Sequence, residues 1–211
     1  MNCTPSARLE EKFDESKPSV YAAEGTLAHE FGDINLRFRN GEISEKIFNS
    51  ELKKLRKEEL YSDEMEVEVD KYVTAVMESF SIAKSKTPDA VLLVEERVDF
   101  SHLVEKGFGT GDACIIADGV LYVMDLKYGK GVKVDADNNP QLKLYGSGAL
   151  RAFEMMYDIH TVRLVIIQPR LNHISSWDIS SEDLIEWGEK QVKPKAAKAY
   201  QGKGVQKAGD W

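Results

Sequence analysis

The sequence predicts an α/β fold in which helices cover both faces of a central sheet and a mainly helical section comes first. Three observations carry this reading. Apolar residues recur at helical spacing in the first part of the chain, as in Val69, Tyr72, Val73, Val76, Met77 and Phe80, the stripe of a helix face turned to a core. From Pro88 onward the period shortens from 3.6 residues to 2, as strands require. Two of these strands are apolar on both sides, with Ile116, Leu121 and Val123 on one and Ile115, Tyr122, Met124 and Leu126 on the other. Strands of that kind lie in a sheet covered on both faces.

Residues 1–20 are polar and mixed, irregular or with a short helix around Ala7–Phe13. Helical signals begin near Glu24-Gly25-Thr26, with Thr26 as a candidate N-cap, and run through Ala28, His29, Phe31, Ile34, Leu36 and Phe38. Gly41 interrupts them, a second helix covers Ile43–Leu60, and a third runs from Glu64 to about Lys84. Strands follow at Val91–Phe100, 111–117 and Val120–Tyr128. Asn139-Pro140 opens a helix reaching about Tyr157, with the proline suited to its first turn. Val162–Gln168 and Ile174–Ile179 read as strands, and Ser181 opens a helix through Trp187. The chain is expected to form one domain over 1–211, with a helical section at 1–87, an αβ core at 88–198 and a flexible tail at 199–211, where Gly202, Gly204 and Gly209 fall.

A hydrophobic content of 42% with 30% charged residues belongs to a soluble globular protein. No apolar run approaches the ~18 residues of a membrane span, and no signal-peptide core opens the chain. The expected setting is therefore cytoplasmic, without a membrane partner. Cys3 and Cys114 make no disulfide framework, and Cys114 reads as core. A net charge of −8 first argues against nucleic acid, but its distribution argues otherwise. Residues 1–100 hold 22 acidic against 14 basic residues, and residues 101–211 hold 14 of each. Lys127, Lys130, Lys133 and Lys143 fall around an acidic pair, and Lys190 to Lys207 carries six lysines and no acid. Basic surfaces beside carboxylates suit a phosphate-rich substrate; solvated lysines are the competing reading, weakest for Lys127.

The acidic pair is set by a turn. Asp118-Gly119 between two alternating apolar runs is a strong hairpin signal. With those two residues at the turn, 117 pairs with 120, and counting outward brings Asp112 opposite Asp125. Directly opposed residues share a face with Cβ atoms roughly 5 Å apart, and like charges there repel. Lys127, two residues on, points to the same face. Two acids and a lysine at one spot suggest a divalent-cation site with catalytic use; a structural Asp125–Lys127 ion pair is the plainer alternative.

Further elements fall in order around this pair: Gly25-Thr26-Leu27-Ala28-His29 before it, Gly109-Thr110-Gly111-Asp112 and Asp125-Leu126-Lys127-Tyr128-Gly129-Lys130-Gly131 across it, and Gln141 with Tyr145 one helical turn apart after it. Together they resemble the RecB-like branch of the PD-(D/E)XK nuclease superfamily, above all phage-encoded members associated with recombination exonucleases. The resemblance spans roughly residues 24–170, and its strength lies in the ordered set. It implies a restriction-endonuclease-like core, a central mixed β-sheet flanked by helices. It implies that Asp112, Asp125, the backbone carbonyl of Leu126 and His29 hold Mg²⁺ or Mn²⁺, the imidazole favouring Mn²⁺. Lys127 would activate water and stabilise phosphate charge, Gln141 and Tyr145 would position Lys127 and the DNA strand, and Lys130 would contact the DNA backbone. Glu95 or Glu96, at the end of the first strand, is a weaker candidate to reach the site.

The implied function is a metal-dependent deoxyribonuclease, more an exonuclease than a site-specific endonuclease, in phage recombination or DNA end processing. Its expected partners are DNA and either further copies of itself or a phage recombination protein. The alternative is a catalytically silent DNA-binding or assembly module that keeps the fold. Many RecB-like relatives also hold an iron–sulfur cluster on four cysteines. Cys3 resembles the first of them, but the other three are absent, so this chain alone cannot hold such a cluster. Truncation of a longer protein is the favoured reading, a cluster-free subgroup the other.

Overall fold

The computed structural model describes residues 3–11 and 19–206, without the side chains of Ala7 and Glu10. Residues 12 and 13 of the expected first helix, and 207–211 of the expected tail, lie outside the described residues. The helical section comprises α1 (Ser6–Glu10), α2 (Val20–Arg39), α3 (Glu45–Leu55) and α4 (Asp63–Lys86). Ser19, Ser44 and Ser62 begin α2, α3 and α4, each side chain accepting a backbone N–H three residues on, so each satisfies one of the donors a helix start leaves open. α2 thus begins before Thr26, whose hydroxyl donates to the Ala22 carbonyl at 3.1 Å inside the helix.

The strands β1 (Val91–Asp99), β2 (Phe108–Ile116), β3 (Gly119–Leu126), β4 (Ile159–Gln168) and β5 (His173–Ser180) form a five-stranded sheet in the order β1-β2-β3-β4-β5. It is mixed: β3 and β4 run parallel and the other neighbours antiparallel. The cause lies in the connections. β3 reaches β4 through α5 (Pro140–Phe153), the crossover that parallel pairing needs, whereas the other strands follow one another without an α-helix, β4 and β5 through a single 3-10 turn at Pro169–Leu171. α5 stops at Phe153, short of Tyr157, whose hydroxyl instead donates to the Asp89 carbonyl at 2.8 Å.

Both faces of the sheet are covered. Phe31, Leu36, Val69, Tyr72 and Val73 of α2 and α4 pack on the face bearing Leu92, Val94, Ile115 and Met124. Leu142 and Leu150 of α5, with Leu184 of α6 (Ser181–Trp187), pack on the face bearing Cys114, Ile116, Leu121 and Val123. Each such side chain stabilises the fold by about 1.5–3 kcal/mol relative to exposure. A π-helical turn, Gly188–Val192, leads into α7 (Lys193–Tyr200), so the boundary expected at 198 falls inside a helix. Arg8 donates to the Tyr200 carbonyl at 2.7 Å and lies over its ring, and Thr4 donates to the Lys203 carbonyl at 2.6 Å. These contacts tie α1 to α7. No helix among the described residues is long and apolar enough to cross a membrane.

Candidate metal centre

The β2–β3 hairpin has the register that Asp118-Gly119 predicts, with Ile116 opposite Leu121 and Ala113 opposite Met124. The next pair outward is Asp112 and Asp125, and there backbone pairing stops. Instead the Asp112 carboxylate accepts the Leu126 N–H at 2.7 Å, taking the place of a ladder bond. In a strand the N–H and C=O of one residue point to the same neighbour, so the Leu126 carbonyl also faces β2 and the acids.

β1 adds a third carboxylate to the row. Val94 pairs with Ala113 and Glu96 with Gly111, which puts Glu95 opposite Asp112. Glu95 has φ +48°, a left-handed conformation that costs a non-glycine residue roughly 1–2 kcal/mol. Such strain persists only where surroundings impose it, often at functional sites. Here it accompanies convergence: His29 Nδ1 lies 3.3 Å from Asp112 Oδ1 and 3.7 Å from Glu95 Oε1. One ligand atom from each of His29, Glu95 and Asp112 lies within 4.8 Å of the others. Burial opposes charging of the imidazole, but hydrogen bonding and attraction from Asp112 and Glu95 outweigh it and raise His29 to about 10. The imidazolium thus offsets one of the two facing negative charges, work a divalent cation would take over and complete on displacing the proton.

Asp125 is 3% exposed. Its Oδ2 lies 2.7 Å from Lys127 Nζ as an ion pair, at angles outside those of a hydrogen bond. Burial first, and the charge of Asp112 second, push its carboxyl up to about 6 against the opposing pull of Lys127. A buried carboxylate oxygen with unspent accepting capacity, beside a row of hard oxygen donors and one imidazole, fits Mg²⁺ or Mn²⁺. Behind the row, the buried hydroxyl of Tyr72 has no hydrogen-bond partner; burial, then Asp112, Glu95 and Asp125, hold its proton on firmly.

Gln141 and Tyr145 approach from α5. Lys127 Nζ donates to Gln141 Oε1 at 3.4 Å, and Gln141 Nε2 donates to the Tyr145 hydroxyl at 3.1 Å. Gly109 makes room for this chain of contacts. A Cβ there would lie 3.0 Å from the Tyr145 hydroxyl oxygen and closer still to Cε1 of the ring. Gly109→Ala is therefore expected to displace Tyr145 and loosen Gln141 from Lys127. The expected cost of this overpacking is about 1–3 kcal/mol, read as a lower melting temperature. An unchanged melting temperature would show that Tyr145 moves aside freely.

The other expected residues lie elsewhere. Lys130 is paired with Glu64 at 2.9 Å on the surface, an exposed contact of small energy that a phosphate could replace. Lys143 corrects the reading that it gathers around the acids. It is buried on the opposite side of α5, 4.1 Å from the Trp187 ring centroid, because it stands two positions from both Gln141 and Tyr145. Among the described residues, Lys127 is the lysine paired with an acid of the row. Cys114 is buried in β2 and its thiol is pushed up to about 12 by burial, whereas Cys3 precedes α1 at the far end of the described chain. Arg170, unmarked by any motif, spans Glu24 at 3.0 Å and the Tyr128 ring at 4.6 Å beside the end of β3.

Fold and cluster together define an α/β protein whose mixed sheet carries carboxylates on β1, β2 and β3 and a lysine just after β3, faced by a histidine of α2. More narrowly, the chain belongs to the family described as "Protein of unknown function (DUF2800)", which matches residues 1–211. A solved structure described as "Crystal structure of SSO0001" is similar at 16% sequence identity, over 97% of this chain and 87% of that one, with a TM-score of 0.32.

Proposed function

We propose that this protein is a metal-dependent DNA nuclease with a RecB-like PD-(D/E)XK core, acting as an exonuclease in recombination or end processing. The observation that carries the reading is the meeting of His29, Glu95 and Asp112, with buried Asp125 and its ion-pair partner Lys127 beside them. Mutually repelling acids in register, one of them buried and one on a strained backbone, are costly without a ligand. His29, Glu95, Asp112, Asp125 and the Leu126 carbonyl would hold Mg²⁺ or Mn²⁺. When bound, such an ion supplies Lewis-acid stabilisation of phosphate charge and a more acidic water.

The chain's own groups supply the rest. Lys127, held between Asp125 and Gln141, would orient the attacking water and neutralise charge on the phosphate. The water oxygen would bond to phosphorus as the P–O bond to the leaving nucleotide breaks, one proton of the water going to solvent and the leaving oxygen taking one up. Asp125 fixes the ammonium at one point, and Gln141 and Tyr145 fix its direction. Lys130 and the neighbouring surface would meet the DNA backbone.

The test uses end-labelled linear and covalently closed DNA in Mg²⁺, Mn²⁺ or EDTA, with wild type beside Asp125→Asn. The expected result is Mn²⁺-supported degradation of linear DNA, at least about 10³-fold weaker in the variant. Equal activity in a purified variant would remove the site assignment. Tight DNA binding by wild type without cleavage would support the silent module instead.

A further inference from the structure

Next to the cluster, on the far side of Tyr145, lies a groove of about 590 Å³ between β2, α5 and α7. Its walls are aromatic and open: Phe108 is 52% exposed and Tyr200 40% exposed. Arg97 lies over the Phe108 ring at 3.6 Å from its centroid, and the Phe100 and Tyr145 rings stack at 6.4 Å. The groove abuts the candidate centre: Gln141 and Tyr145 line it and also belong to the contacts that reach Lys127.

One lysine marks its border. Val192 at the end of the π-helical turn and Ala196, Ala199 and Tyr200 of α7 line the groove. Lys195 is a near neighbour of both Val192 and Ala199 on the helix surface. It is exposed and, among the described residues, has no ion-pair partner, unlike Lys190 and Lys193, which pair with Glu186 and Glu189. Glu105 is the acid on the wall. Exposed aromatic rings beside cations, here Arg97 over Phe108 and Arg8 over Tyr200, recognise unstacked bases on a charged backbone. A duplex hides those base faces within its own stack.

We propose that this groove binds a single-stranded stretch of DNA, its bases stacking on Phe108 and Tyr200 and its phosphates facing Lys195, on the path into the candidate centre. The proposal rests on the nuclease reading for the direction of that path. Single-strand entry would favour frayed or resected ends as substrate and would keep intact duplex out of this groove.

The experiment measures binding in EDTA, so that cleavage plays no part. The probes are a fluorescently labelled oligodeoxythymidine, an abasic oligomer of the same length and a blunt duplex. The expected outcome is preference for oligodeoxythymidine over the other two, and about tenfold weaker binding of it by Phe108→Ala or Tyr200→Ala. The abasic oligomer should be bound equally by wild type and variants. Phe108→Leu and Tyr200→Leu keep apolar volume but not the ring, so they should show the same loss should either alanine variant fail to fold. Lys195→Ala should lower the salt slope by about one.

Variants that bind oligodeoxythymidine as wild type does, or a wild type that binds the abasic oligomer equally well, would overturn the proposal. So would self-association of the wild type abolished by Phe108→Lys, which would give the groove to a second copy of the chain. A parallel Mn²⁺ cleavage assay separates the two readings. Base-dependent binding without cleavage would remove the nuclease and keep the groove; cleavage with base-independent binding would do the reverse.

Discussion

Lys127→Met is expected to lower Mn²⁺-supported DNA cleavage about 10³-fold while leaving Mn²⁺ binding in place. Lys127 supplies a charge and donor hydrogens rather than a ligand atom. Methionine keeps most of the stem's packing and removes only the ammonium. The paired carboxylate then changes its circumstances. Asp125 is 3% exposed and already raised to about 6 by burial and by Asp112, and the variant takes away its counter-charge. A buried charge that loses its partner is strongly destabilising, so the metal-free variant should melt below wild type. Mn²⁺ should recover more melting temperature in the variant than in wild type, since it would then be the compensating charge for Asp125. A variant that lost cleavage and the Mn²⁺ shift together would make Lys127 a structural residue. Lys127→Arg should not restore cleavage, because a planar, delocalised guanidinium does not replace a compact ammonium held between Asp125 and Gln141.

How far the centre was legible depended on how each residue is connected to its neighbours. The Asp112–Asp125 juxtaposition followed from counting outward through a two-residue turn, because a short loop fixes register and leaves no freedom. Gln141 and Tyr145 followed from helical spacing. Glu95 could not be separated from Glu96 in the same way. The connection from β1 to β2 runs from Phe100 through Gly107 and includes a left-handed residue, Lys106, so no simple count crosses it. The conformation at Glu95 itself is imposed by the assembled site and leaves no local signal.

Lys143 shows the opposite failure. Proximity in sequence to Gln141 suggested the acids, but a helix turns adjacent positions to different sides, and the tryptophans that hold Lys143 come from β5 and the end of α6. The both-face apolar pattern of β2 and β3 was legible because burial alone decides it. The extent of α2 was not, because Ser19, rather than the better-placed Thr26, makes the cap. The mixed sheet came from the family resemblance, and its physical cause is the α5 crossover between β3 and β4.

Glu95→Gly is expected to melt above Glu95→Gln without Mn²⁺ and to gain much less than wild type from Mn²⁺. Without metal, glycine relieves the left-handed φ of +48°, but it also removes the carboxylate that pairs with His29, so the gain from strain is read against Glu95→Gln, which loses the same charge. The relief of backbone strain is about 1 kcal/mol, part of it offset by glycine's greater freedom in the unfolded chain. For a chain of this size that raises the melting temperature by up to about 2–4 °C. With Mn²⁺ at a hundred times its dissociation constant, wild type gains about 2.7 kcal/mol, or roughly 5–10 °C. The variant, one ligand short, should gain much less. Glu95→Gln separates the causes: it keeps a side chain on the strained backbone and removes only the charge, so it should not share the glycine variant's strain-derived gain. Equal metal-free melting of the glycine and glutamine variants would show that the φ carries no strain. A full Mn²⁺ shift in Glu95→Gly would show that Glu95 is no ligand. Strain relieved by the substitution that also weakens metal binding would identify Glu95 as a position where the fold gives up stability to complete the centre.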